Sequence, residues 1–187
     1  MCKRRASTLR LSKESMPDPP ATRHTLDLGP DLPLADFIST WPWDEDRIHA
    51  LALYCSDGRW GLAFDEFCQK HLRIPRYDRW AVPGGPGWLL PSADDTVSLQ
   101  AAKRQLDLLV EAHGLERIVL ISHYGCAYYA RRFNKSPDEC LALQRTDLHR
   151  AADTLRDWYP AIRVENYLAM RAGNRLSFHG VPDEAPR

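Results

Sequence analysis

Two short apolar runs, residues 48–54 and 118–121, are bounded by polar or turn residues and separated by stretches in which apolar side chains recur at helical spacing. Runs of that length and composition read as strands buried on both faces, and strands that alternate with helices imply a largely parallel sheet. After the first run, Leu62, Phe64, Phe67, Cys68, His71 and Leu72 predict a helix ending near His71. A second strand follows over residues 76–82. The run Pro83-Gly84-Gly85-Pro86-Gly87 then reads as irregular loop. Asp94, Asp95 and Thr96 are N-cap candidates for a helix through Leu99, Ala102, Leu106 and Leu109, which glycine closes at His113-Gly114. Beyond the second apolar run, Ser136-Pro137-Asp138-Glu139 combines a capping box with proline at the first helical position. Pro160 stops that helix. Residues 162–170 and 175–179 read as two strands around a turn at Ala172-Gly173-Asn174. The fold class expected is α/β, a largely parallel central sheet flanked by helices, with a C-terminal edge hairpin.

Composition narrows the function. The 187 residues hold 25 Lys plus Arg against 25 Asp plus Glu, a formal net charge of zero. No broad basic field is available for nucleic acid or anionic lipid, so the expected partner is a small-molecule substrate. No apolar stretch approaches the roughly 20 residues that cross a bilayer, and no signal-peptide core follows the start, which predicts a cytoplasmic protein. Residues 1–30, rich in Lys, Arg, Ser and Pro, read as a disordered tail. Five cysteines at irregular spacing argue for reduced thiols or metal ligands over a disulfide framework.

Two clusters fall beyond strand carboxyl ends, where ligands bind in such sheets. One is Cys55-Ser56-Asp57-Gly58-Arg59, the other His123-Tyr124-Gly125-Cys126. Thiolate and imidazole are preferred zinc ligands, and catalytic zinc keeps three protein ligands with a fourth position for water or substrate. Cys55, His123 and Cys126 supply that number. Zinc lowers the pKa of a bound water to about 7, and a placed carboxylate then orients it or takes its proton. Asp57 is the candidate for that role, with the Arg59 fork to hold it ionised and off the metal. Cys68 and Cys140 read as core residues, and His71, His113, His149 and His179 as surface or structural histidines. The tryptophans, Trp41, Trp43 and Trp158 among them, read as packing or oligomer contacts.

Together the two clusters resemble the C-x-D-x-R and H-x-x-C signature of β-class carbonic anhydrases. The resemblance runs over about residues 48–180: Arg79-Trp80-Ala81 stands where that family has R-N-A, and Gln144, Asp147-Leu148 and the closing hairpin keep its order. It implies one β-carbonic anhydrase-like domain over residues 31–187, one zinc ion per chain on Cys55, His123 and Cys126, an Asp57-Arg59 catalytic dyad, zinc-dependent reversible hydration of carbon dioxide to bicarbonate by metal-bound hydroxide, and a homodimer or higher homo-oligomer. Ala127 replaces the family's glycine after the second cysteine, Ser122 its glycine before the histidine, and Tyr128 and Tyr129 add bulk. Hydrolysis of carbonyl sulfide or carbon disulfide on the same site, and a zinc-binding protein without turnover, stay open beside hydration. A thiol nucleophile as in a phosphatase ranks last, because three residues between Cys55 and Arg59 are too few to cradle a phosphate.

Overall fold

The computed structural model describes residues 36–90 and 96–183. Residues 1–30 and the cap candidates Asp94 and Asp95 lie outside that range. Residues 36–43 belong to a first unit, form no regular element and leave Phe37, Trp41 and Trp43 exposed. Residues from Asp44 on form the unit that holds the sheet.

Its elements are β1 (Ala50–Cys55), α1 (Gly61–Glu66), a π-helical turn (Phe67–His71), β2 (Asp78–Val82), a 3-10 helix (Gly85–Leu89), α2 (Thr96–His113), β3 (Arg117–His123), α3 (Ala127–Phe133), α4 (Pro137–Trp158), β4 (Arg163–Ala172) and β5 (Arg175–Gly180). They make one five-stranded sheet in the order β2-β1-β3-β4-β5. Every pairing is parallel except β4 with β5, the antiparallel edge hairpin. From β1 the chain crosses over to β2 on one side, and from β3 it crosses to β4 on the other. The strand order therefore reverses between β1 and β3, and a crevice opens outside their carboxyl ends.

Alternation along β1 and β3 builds two apolar layers. Leu51, Leu53, Ile118 and Leu120 face Leu106 of α2 and Leu148 and Leu155 of α4. Ala52, Tyr54, Val119 and Ile121 face Trp60, Phe64, Phe67 and Cys68 on the opposite side. Burial on both faces explains why both strands read as unbroken apolar runs. Ser136 and Glu139 form the expected capping box at the start of α4, and Gly114 ends α2 at φ 63°.

Three local expectations change. Leu62 is exposed, because two residues before Phe64 it lies on the side of α1 away from that buried ring; the helix then widens into the π turn, where the Leu72 amide donates to the Phe67 carbonyl at 3.0 Å. The segment after β2 is no loose loop: Gly85, Pro86, Gly87 and Leu89 are buried in the 3-10 helix. A Cβ on Gly85 would stand 2.9 Å from the Cys55 nitrogen and from the Tyr54 carbonyl carbon, at φ +55°, so glycine here permits contact between two backbones. Finally, α3 adds a short helix that was not expected.

Gly85→Ala is expected to destabilise by roughly 2–4 kcal/mol, from overpacking plus left-handed strain. Gly114→Ala has the same sign of φ but nothing within 4 Å of its Cβ, and should lose only about 1 kcal/mol. Equal urea midpoints for the two variants would show that the close approach contributes nothing.

The amino-terminal side of β3 is tied to β4 by ions. Arg117 donates from Nε to Glu165 Oε1 at 2.6 Å and from Nη2 to Oε2 at 2.9 Å, and the Tyr167 hydroxyl adds a third bond at 2.8 Å. Burial raises the Glu165 carboxyl, but Arg117 and Tyr167 outweigh it, and the result lies below the ordinary 4.5. A depressed carboxylate contributes stability that is present above the unfolded value and lost as pH falls through the folded one. Glu165→Gln should therefore be less stable than wild type at pH 7, with the difference shrinking below about pH 4.5. Urea titrations at pH 7 and 3.5 read this out; a difference that holds constant would mean the ion pair is not the source. Among the described residues no helix is long and apolar enough to cross a membrane.

Candidate metal centre

The crevice receives side chains from both strands that border it. Cys55 is the last residue of β1 and His123 the last of β3. The strand does not stop before His123 as the apolar run suggested, because His123 still pairs with Ala169 of β4 and the Tyr124 amide bonds the Ala169 carbonyl at 2.9 Å. Cys126 follows three residues later as the N-cap of α3. The donor atoms of Cys55, His123 and Cys126 all lie within 4.8 Å of one another, and all three residues are buried.

Their chemistry fits a metal. The two Sγ atoms are 3.8 Å apart, with both cysteines free. Two sulfurs each ~2.3 Å from one tetrahedral zinc ion stand about 3.8 Å apart. The carbonyl of Tyr124, which can only accept, takes the Nδ1 proton of His123 at 3.0 Å. That leaves Nε2 as a lone-pair donor, and it is buried with no hydrogen-bond partner. An orphaned buried nitrogen is costly in a native protein, and a metal ion relieves that cost. The Trp60 ring packs on the imidazole at 4.8 Å between centroids, and Gln144 Nε2 donates to the His123 carbonyl at 2.8 Å.

The thiols differ. The Cys126 thiol donates to Cys55, which lowers the Cys55 thiol against its burial, assisted by the Gly84 amide at 3.4 Å from its sulfur. The Cys126 thiol is raised by that same bond and by burial. One thiolate thus forms readily, and a second needs a cation nearby.

Asp57 lies in the turn after β1, where its carbonyl accepts from the Trp60 amide at 3.0 Å. Arg59 grips it from Nε to Oδ1 at 2.9 Å and from Nη2 to Oδ2 at 2.5 Å, with a backbone bond to Oδ1 at 3.1 Å. The guanidinium holds the carboxyl down to about 2. All five anticipated residues therefore sit in one region of the fold. Cys68 is buried elsewhere, on the π turn, whereas Cys140 of α4 is buried in the same cluster as Cys55 and Cys126 without joining the donor set.

Two contributors escaped the sequence. Gly84, at φ 84°, brings its amide to Cys55, and a Cβ there would strike the Tyr128 ring at 2.3 Å. The glycine-rich run was the available signal. Tyr129, which looked like bulk over the pocket, is turned into the core, and its hydroxyl donates to Asp147 at 2.9 Å.

Residues 45–174 match a family model described as "Putative carbonic anhydrase". No curated protein sequence matches the chain. Among solved structures it is similar to the β-carbonic anhydrase CafA of Aspergillus fumigatus, at 12% identity and a TM-score of 0.46 over 74% of this chain and 78% of that one. It is also similar to one of two tetrameric β-carbonic anhydrases from Sordaria macrospora, at 12% identity and 0.48 over 71% and 81%. The family match spans most of the chain and both donor clusters, and with its C-x-D-x-R and H-x-x-C pattern the protein belongs to the carbonic anhydrase family as a divergent, β-class-like member.

Proposed function

We propose that the protein catalyses zinc-dependent reversible hydration of carbon dioxide to bicarbonate. The observation that carries this reading is the convergence of three buried metal-type donors from two strand ends within 4.8 Å, in a member of this family. Cys55, His123 and Cys126 would hold one zinc ion per chain. The ion would supply a Lewis acid that brings the pKa of a bound water to about 7. The remaining work belongs to the protein. Trp60 and the Tyr124 carbonyl fix the imidazole plane and tautomer, and the Gly84 amide stabilises the Cys55 thiolate. Asp57 would orient the reacting water and accept its proton. Arg59 keeps that carboxylate ionised.

Stopped-flow carbon dioxide hydration by protein of known zinc content, then chelated and reloaded, tests the proposal. A rate that follows zinc content supports it, and fully loaded protein without turnover from neutral to alkaline pH overturns it. The Tyr128 ring lies against Gly84 beside Cys55, bulk that suits a small linear substrate. Carbonyl sulfide and carbon disulfide meet the same description, and their hydrolysis measured on the same preparation separates the readings. A homodimer or higher homo-oligomer in the cytoplasm is the assembly we propose, supported by the exposed Trp41, Trp43 and Leu62; a monomeric mass by light scattering would exclude it.

A further inference from the structure

At the other end of the sheet, where β1 and β3 begin and the chain turns toward β2, lies a cavity of about 320 Å³. Four arginines line it, Arg47, Arg73, Arg76 and Arg117, against one carboxylate, Glu116. Two of the four are engaged. Arg117 is held by Glu165 and by the Leu72 carbonyl at 3.1 Å, and Arg76 by the Asp44 carboxylate at 3.1 Å and its carbonyl at 2.9 Å. Arg47 and Arg73 make no hydrogen bond or ion pair with any described residue. In a chain of zero formal net charge, this concentrates positive charge in a concave site.

Arg73 also stands at φ 59°. A residue with a Cβ is strained there, and glycine would meet the same turn at no such penalty. The strained backbone places a long cationic side chain at the cavity wall. Ile48, Ile74 and Pro75 give that wall an apolar part.

We propose that this cavity binds a small organic phosphate monoester, the two uncommitted guanidiniums taking the phosphate and the apolar wall its organic group. A phosphate monoester carries nearly two negative charges at neutral pH and offers three acceptor oxygens, a closer match to two planar forks than a single carboxylate. The site is separate from the Cys55, His123 and Cys126 centre and does not depend on the activity proposed for it.

Phenyl phosphate is the probe, titrated into the full-length protein by calorimetry at 0.15 M salt, with benzoate as the carboxylate counterpart. Saturable binding with a Kd below about 1 mM is expected, weakening as salt rises. Benzoate should bind at least about tenfold more weakly. Arg47→Gln and Arg73→Gly should each weaken phenyl phosphate by about 10- to 100-fold, the loss of one charge-assisted contact. Arg73→Gly should also raise the thermal midpoint, since it releases the left-handed strain, so weaker binding in that variant cannot be ascribed to unfolding. Cys126→Ser, which alters the other centre, should leave the affinity unchanged. No saturation by about 10 mM, benzoate binding as tightly, an affinity indifferent to both arginine variants, or one lost with Cys126→Ser would each overturn the proposal.

Discussion

In a His123→Ala variant, zinc content after dialysis against a competing chelator is expected to fall from one ion per chain to a small residue, with the far-ultraviolet circular dichroism of the wild type retained. The reason is positional. The Nε2 atom is wholly buried and has no partner in the protein, so in the folded chain it offers a lone pair already stripped of water. Losing a residue that merely supports a zinc ligand weakens binding about 10- to 100-fold, so losing a ligand should exceed about 100-fold. Cys55→Ala and Cys126→Ala should behave alike, since either leaves a single thiol beside the imidazole. Cys68→Ala is the control, a thiol just as buried but in a different cluster from the donors. Elemental analysis decides the matter, and a full equivalent retained by any of the three variants removes that residue from the ligand set.

Asp57→Asn should separate metal binding from turnover. Asparagine has nearly the same shape, and its side-chain oxygen can still accept from the Arg59 backbone amide and Nε that Oδ1 accepts now. The turn after β1 and the zinc content should therefore persist. What disappears is a carboxylate that Arg59 keeps ionised throughout the working range. Loss of a placed general base lowers rates by about 10²–10⁴-fold. The fall should appear in kcat and in kcat/KM together, as for a group used in the transition state and not in substrate binding. Wild-type turnover in zinc-loaded Asp57→Asn would exclude the carboxylate from the mechanism.

Those two variants probe what was most legible in the chain. The donor clusters could be read because each follows a run too apolar for anything but a buried strand, and a strand end limits where the next side chains can go. The capping box at Ser136 and Glu139 was legible for a similar reason: it is local, closed by hydrogen bonds between residues three apart. Residues 83–89 were not. Proline and glycine punctuate loops far more often than they build buried helices, and only the nearness of Tyr54 and Cys55, distant in sequence, shows that the glycines serve close packing. Helix α3 spans seven residues, too few to display a period. The exposure of Leu62 was legible in its phase, since a residue two before Phe64 cannot share the buried face of an α-helix with it. Strand order, and with it the crevice between β1 and β3, is a long-range property to which local patterning is blind.

Cys55 and Cys126 are 71 positions apart in the chain, while His123 and Cys126 are near neighbours. An unfolded chain would have to close that long loop to offer the three donors together, which has an entropic cost. A zinc ion held by all three would bridge the carboxyl ends of β1 and β3, so parting of that seam would speed its exchange into excess chelator. Measured against temperature or denaturant, the release rate would report whether the seam opens by local fraying or only with the whole sheet.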